Sequence, residues 1–236
     1  MNAHTKILSA KGVVIHRDVE QGSEQWHQLR AGILTASEMK LIITPTLKVA
    51  SNDKERAHLY ELLAQRITNY VEPHFESYDM ERGKFDEEHA RAKYSEEYAP
   101  VEECGFITND KLGFTIGYSP DGLVGDDGLL EVKSRVQKWQ MQTLVEFVAN
   151  HEVPADFIIQ CQTGLFVAER EWLDFTSYSG GMKMAVVRCY PDPVIADAIG
   201  NAAIQFEKRL AEKREVYEKL IASDARLVAT ERLIYL

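Results

Sequence analysis

The residues best placed to do chemistry are Ser119-Pro120-Asp121-Gly122 and, after six intervening residues, Leu129-Leu130-Glu131-Val132-Lys133. Between them, Gly125-Asp126-Asp127-Gly128 reads as a hairpin turn. That turn sets Val124 opposite Leu129 and brings Asp121 within one register step of Glu131. Two carboxylates side by side repel unless one is protonated or a cation lies between them. Magnesium suits the second solution, because it takes oxygen ligands and is commonly held by one or two carboxylates plus substrate phosphate. Glu131 and Lys133 share one face of their strand, and Leu130 and Val132 point the other way, into the core. A lysine beside such a cation can orient an attacking water or stabilise charge developing on phosphate, which is the equipment of metal-assisted phosphodiester hydrolysis. Taken alone, Asp-x9-Glu-x-Lys is a loose pattern. Turns are rich in Asp and Gly, and Glu-x-Lys on a strand reads equally well as a solvated ion pair.

The surrounding elements add weight. A helix from about Glu81 to Tyr98 has an inward stripe of Glu87, Ala90, Tyr94 and Tyr98, so an acid shares a face with residues expected to be buried. A buried glutamate needs a partner, and convergence on a metal site supplies one. Gln160 lies on a helix over Ala155 to Val167 that begins soon after the hairpin. Thr35-Ala36-Ser37-Glu38 has the form of a capping box and opens a short helix through about Ile43, stopped by Pro45. Asn52 caps a further helix with Leu59, Leu62, Leu63, Ile67 and Tyr70 on its apolar face. Phe106 to Tyr118 reads as two strands around Asn109-Asp110-Lys111, Glu171 to Ser179 and Met184 to Tyr190 as two more. Pro193 to about Ser223 is one long helix packing through Ile195, Ile199, Ala202, Phe206 and Leu210. Helices thus precede, interrupt and follow four or five strands, an α/β or α+β domain with a small central mixed sheet.

Composition bounds the function. With 236 residues, 45% hydrophobic, and only 14 Gly and 7 Pro, the chain is an ordinary globular domain rather than disordered or fibrous. Residues 1–236 read as one domain, whose C-terminal helix and tail, about 193–236, pack on the core or on a neighbouring subunit. Cys104, Cys161 and Cys189 are dispersed and odd in number, which excludes a disulfide framework and fits a reducing, cytoplasmic compartment. They also fall short of the four ligands of an iron–sulfur nuclease. His4, His16, His27, His58, His74, His89 and His151 show no zinc spacing. No apolar run is long enough to span a membrane. The net charge of −10 argues at first against a nucleic-acid ligand, although an acidic exterior can coexist with a basic groove. The basic residues Lys208, Arg209, Lys213, Arg214 and Lys219 of the last helix read as a solvated face. Trp26, Trp139 and Trp172 read as packing residues.

In this order and spacing, the segments Trp26-His27-Gln28-Leu29-Arg30, Thr35-Ala36-Ser37-Glu38, Gly83-Lys84-Phe85-Asp86-Glu87, Ser119-Pro120-Asp121-Gly122, Glu131-Val132-Lys133 and Gln160-Cys161-Gln162 resemble the PD-(D/E)xK nuclease superfamily. The closer resemblance is to the phage lambda-type alkaline exonucleases of viral recombination. It implies a restriction-endonuclease-like core and a magnesium-dependent exonuclease that digests one strand of linear double-stranded DNA from its 5′ end. Such an enzyme releases mononucleotides and leaves a 3′-ended single strand. It further implies a homotrimeric ring around DNA, a single-strand annealing recombinase as partner, and a phage or prophage protein in a bacterial cytoplasm.

By the same match Asp121 and Glu131 ligate magnesium with the Val132 carbonyl, in a site for two ions where manganese can substitute. Glu87 completes or tunes that site, Lys133 positions the nucleophilic water and Gln160 supports it. Arg30, Ser37 and Ser119 hold the 5′-terminal phosphate, a role also suggested by the placing of Ser37 in the first turn of a capped helix. Met80 stands where an apolar wedge meets the end base pair. Three positions depart from the pattern: the loop after Pro45 has one basic residue, Lys48; Phe157 stands where Tyr is frequent; and Ser134-Arg135 follows the lysine. The rival readings are a restriction-type endonuclease, which would cut closed circles, and a non-catalytic DNA-end-binding module, which would be expected to have lost a ligand. A carboxylate-pair glycosidase leaves Lys133 without a role.

Overall fold

Alternating apolar residues and a tight turn between Phe106 and Ser134 build the centre of the molecule. The computed structural model describes residues 12–73 and 78–232; His4, His74, Leu233, Ile234 and Leu236 lie outside them. The elements run β1 (Val13–His16), α1 (Glu24–Arg30), β2 (Leu34–Thr35), α2 (Met39–Ile42), α3 (Asp53–Thr68), α4 (Tyr78–Glu97), β3 (Phe106–Asn109), β4 (Ile116–Tyr118), β5 (Gly122–Val124) and β6 (Gly128–Ser134), then α5 (Gln137–Gln142), α6 (Ala155–Ala168), β7 (Trp172–Tyr178), β8 (Ala185–Cys189) and α7 (Pro193–Ile221). A π turn and a 3-10 turn extend α5 to Asn150.

The strands form two four-stranded sheets, ordered β1-β3-β4-β2 and β5-β6-β7-β8, rather than the single small sheet of four or five strands expected. Each is mixed. β4 pairs parallel with β2, and β6 pairs parallel with β7, the other neighbours being antiparallel. The chain passes from one sheet to the other through Ser119-Pro120-Asp121, so the acid lies at the seam. The crossover from β6 to β7 carries α5 and α6, as a parallel pair requires. α6 lies against both sheets, with α7 on its outer side, and α4 covers the opposite face of β6 and β7. The main core gathers Leu34, Ile42, Leu62, Ile107, Leu129, Leu165, Phe175 and Phe206, and a smaller one under α4 gathers Ala90, Tyr94, Val124, Leu130 and Val132.

Local chemistry explains most boundaries. Asn52 accepts N–H bonds from Lys54 and Glu55 and starts α3; Asp192 accepts from Val194 and Ile195 ahead of Pro193 and starts α7. The Thr35–Glu38 capping box does not form. Thr35 belongs to β2 and its hydroxyl donates to the Glu38 side chain at 2.6 Å, so α2 begins at Met39 with no side-chain cap. Ser37 therefore precedes a four-residue helix rather than lying in its first turn. The α4 stripe also shifts: Asp86, Ala90 and Tyr94 are buried, Glu87 lies on its shoulder, and Tyr98 is 60% exposed. Ile67 is likewise on the surface, and Tyr70 falls beyond the end of α3. Arg209 is not part of a solvated face, since it pairs with buried Glu55 at 2.9 Å. The described part of the tail, to Arg232, is exposed, although Arg232 stacks on Tyr70.

Candidate active site

The hairpin places the central acids. Val124 pairs with Gly128 and Gly122 with Leu130, so the turn is one residue tighter than expected and Asp121 is aligned with Glu131 itself. Gly125 takes a φ of 57°, which its missing side chain permits. Asp121 Oδ2 accepts the Val132 N–H at 2.5 Å, and its own N–H donates to the Leu130 carbonyl at 3.1 Å. Both bonds tie the acid to the β6 backbone next to Glu131.

Glu131 is 1% exposed and fully engaged. Lys133 Nζ and Gln160 Nε2 both donate to Oε1 at 2.5 Å, and the Tyr118 hydroxyl donates to Oε2 at 2.7 Å. Gln160 reaches this carboxylate from α6, which is why a helix had to follow the hairpin. Tyr118 can lie against α6 because Gly164 has no side chain; a Cβ there would come within 2.8 Å of the ring. Glu87 approaches from α4. Arg91, one turn along, donates to Glu87 Oε1 at 3.2 Å and to the Asp121 carbonyl at 3.0 Å, locking helix to hairpin.

The electrostatics follow from this crowding. Burial raises the Asp121 carboxyl well above the usual range, and the charges of Glu131 and Glu87 raise it further. Burial also raises Glu87, with Glu131 adding to the effect and Arg91 opposing it. Burial alone would lower Lys133, but Glu131 and Asp121 more than offset it and the ammonium is held charged. Asp121 and Glu87, both raised in part by the charge of Glu131, form with it the oxygen-rich set that a hard divalent cation relieves. Among the described residues no three His, Cys, Asp or Glu side chains are already drawn into a closed cluster. The donor chemistry of Asp121, Glu131 and Glu87 nevertheless fits magnesium.

A cleft of about 1580 Å³ opens above Asp121 and Glu87, and its walls include Trp26, Arg30, Thr35, Met80 and Arg91. Arg30, on its wall, meets Ser119 directly and Ser37 only by way of Thr35. Arg30 Nη1 donates to Ser119 Oγ at 3.2 Å, and Trp26 Nε1 donates to the same oxygen at 3.0 Å. A hydroxyl that accepts two bonds keeps its own proton for a further acceptor. The guanidinium stacks on Trp26, 4.4 Å from the ring centre, and its burial lowers its hold on its proton. Ser37 is exposed, and its Oγ lies 3.3 Å from Thr35 Oγ1. Met80, half exposed on the first turn of α4, borders the same cleft.

Sequence reasoning missed Tyr118, Arg91 and the bracing role of Trp26. The Trp26 signal was its place four residues before Arg30 on one helix; Tyr118 and Arg91 act through contacts between elements that no local pattern reveals.

A mixed sheet presenting Asp121, Glu131 and Lys133 between two helices is the alkaline exonuclease-type PD-(D/E)xK fold. The chain belongs to the YqaJ-like viral recombinase domain family, whose pattern matches residues 25–171. Among solved structures it is similar to an alkaline exonuclease, LHK-Exo, from Laribacter hongkongensis, at 28% identity and a TM-score of 0.74 over 85% of this chain and 98% of that one. The same protein in complex with dAMP matches at 29% identity and a TM-score of 0.74, with the same coverage. A comparison with curated proteins finds no match.

Proposed function

We propose that this chain is a magnesium-dependent 5′→3′ exonuclease on linear double-stranded DNA, releasing 5′-mononucleotides and leaving a 3′-ended strand for recombination by annealing. The observation that carries the reading is the alignment of Asp121 with Glu131, with Lys133 and Gln160 both on the Glu131 carboxylate and Glu87 beside them. Asp121, Glu131 and the Val132 carbonyl would hold the cation, with Glu87 completing or tuning the site. When bound, the ion neutralises charge on the phosphate and favours ionisation of water at neutral pH.

The chain's own residues supply the rest. Lys133 is held charged beside the acids and can orient the attacking water and stabilise charge developing on the phosphate. Gln160 keeps Glu131 oriented and can donate to the water as it arrives. Arg30, with the free proton of Ser119 and the exposed hydroxyl of Ser37, offers donors for a terminal phosphate. Ser37 precedes α2 and so contributes its hydroxyl rather than a helix end. Met80 lies at the mouth of the cleft as the wedge between end bases. The relative's complex with dAMP supports a mononucleotide product.

The same reading carries the remaining expectations: a homotrimeric ring, manganese substituting for magnesium, a single-strand annealing partner, and work in a bacterial cytoplasm. It treats residues 1–236 as one nuclease domain. No described helix is long and apolar enough to cross a membrane.

The test is digestion of linear duplex labelled separately at each 5′ and 3′ end, beside closed circular DNA, with magnesium or EDTA, for wild type and Lys133→Ala. The expected result is magnesium-dependent loss of 5′ nucleotides from the linear substrate alone, abolished by the substitution. Cutting of closed circles would move the reading to a restriction-type endonuclease. Binding without cleavage would make the chain an inactive end-binding module.

A further inference from the structure

Beyond Lys133, β6 carries one more cation toward the same side. The Arg135 N–H donates to the Tyr178 carbonyl at 2.7 Å, which continues the β6–β7 ladder past its last pair, Ser134 with Tyr178. Side chains alternate along a strand, so Glu131, Lys133 and Arg135 form one row. Their placement on one ring bears this out: Lys133 Nζ lies 5.8 Å and Arg135 Cζ 5.0 Å from the centre of Phe157. Phe157 is held from behind by Phe175, 5.4 Å away, which is the β7 partner of Glu131.

The two cations are not equivalent. Lys133 is answered by Glu131 at 2.5 Å. Among the described residues Arg135 has no carboxylate within ion-pair distance, and its Nε is shut away from water without a hydrogen-bond partner. The acid it senses, Asp156, acts only at longer range, and burial lowers the guanidinium's hold on its proton. A partly desolvated cation without an anion is costly, and stacking on one aromatic face offsets only part of that cost. The arrangement leaves a planar, forked donor fixed in orientation and lacking its counter-charge. A phosphodiester, with two unesterified oxygens and one negative charge, matches that fork.

We infer that Arg135, braced on Phe157, is a phosphate-binding residue of this site, and takes the backbone phosphate adjoining the one that Lys133 addresses. The inference rests on the nuclease reading above. It makes Arg135 a determinant of strand grip, and Phe157 the platform that aims it.

The experiment measures equilibrium binding of a linear duplex in EDTA across a salt series for wild type, Arg135→Gln, Arg135→Lys and Phe157→Leu. Thermal melting of each variant is recorded alongside. Loss of one phosphate contact lowers the slope of log K against log salt by about 0.9. Arg135→Gln is expected to show that reduced slope and a roughly tenfold weaker affinity, the equivalent of about 1.4 kcal/mol. Arg135→Lys keeps the charge and is expected to recover the slope but not the full affinity. Phe157→Leu is expected to keep the slope and lose affinity. A merely structural arginine would lower the melting temperature and leave the slope untouched. If wild type binds and digests duplex while Arg135→Gln keeps the wild-type slope, this inference fails and the nuclease reading stands. If wild type neither binds nor digests duplex, both fail.

Discussion

The Tyr118 hydroxyl donates to Glu131 Oε2 at 2.7 Å, so a residue of one sheet fixes the carboxylate on a central strand of the other. Both are buried, and among the described residues no other hydrogen bond reaches that oxygen. Tyr118→Phe keeps the ring and removes the donor, leaving a buried acceptor unpaired at about 1–3 kcal/mol. For a chain of this size each kcal/mol lowers Tm by about 2–4 °C. Gly164→Ala is expected to act in the same direction, because its Cβ meets the Tyr118 ring. Thermal unfolding of both variants decides the matter, and wild-type melting in Tyr118→Phe would show that the hydroxyl contributes nothing to holding Glu131.

Crowded acids give magnesium a readable effect on stability. Asp121 and Glu87 bind their protons more tightly in the folded protein than in an unfolded chain, chiefly through burial and then through neighbouring charge. The metal-free fold therefore gains stability as pH falls through their raised values and loses it as pH rises through them. Magnesium competes with those protons, so the stabilisation it provides grows with pH. At a hundredfold excess over Kd, one bound ion is worth about 2.7 kcal/mol. Asp121→Asn can still accept the Val132 N–H while removing one charge. It is expected to melt higher than wild type in EDTA at alkaline pH and to lose its response to magnesium. A full response in this variant would remove Asp121 from the ligand set.

How much of this could be read in the chain depended on whether a feature is local. The hairpin was legible because Gly125-Asp126-Asp127-Gly128 specifies a turn. Its register slipped by one because Gly128 itself enters the ladder opposite Val124. The cap of α3 was legible for the same local reason, Asn52 being a short acceptor just ahead of an apolar-periodic segment, and α7 was legible from Pro193 and its apolar period, although its Asp192 cap was not read. β1, α1 and β2 were not. α1 buries none of its residues, and β2 is two residues long and exists only through its parallel pairing with β4. Thr35-x-x-Glu38 misled because a side-chain pair on a strand end has the same spelling as a cap. The acids Asp121 and Glu131 came from motif and alternation. Tyr118 and Arg91 required knowing how the two sheets and α4 meet.

Stability and chemistry are separable on the far side of the sheet. Asp174 on β7 accepts from the Tyr94 hydroxyl at 2.6 Å and from Arg188 Nε and Nη2 at 2.8 Å each, while Arg188 stacks on Trp172. The cluster clamps α4, β7 and β8 under the smaller core and touches none of the proposed metal ligands. Asp174→Asn weakens charge-assisted bonds worth about 1.5–3 kcal/mol each. The expected outcome is a lower melting temperature with digestion per folded molecule unchanged well below it. A fall in kcat at low temperature, with the protein still folded, would mean that α4 transmits the clamp to Glu87.

Arg30 carries the clearest prediction about substrate choice. Its guanidinium is oriented by Ser119 and by the face of Trp26, and among the described residues it has no direct ion pair, feeling Glu38 only at longer range. A terminal phosphate would supply the missing counter-charge, and a 5′-hydroxyl would not. Arg30→Ala is therefore expected to reduce the preference for 5′-phosphorylated over 5′-hydroxyl duplex by about tenfold, the value of one charge-assisted contact. The loss should fall mainly on the phosphorylated substrate, since Arg30's hydrogen bonds go to Ser119 and Thr35 rather than to Asp121, Glu131 or Lys133. Arg30→Lys keeps the charge without the fork and should recover part of the preference. The comparison is kcat/KM on the two ends for each variant. An equal loss on both would assign Arg30 to holding α1 against the sheet through Trp26 and Ser119, with no part in reading the end.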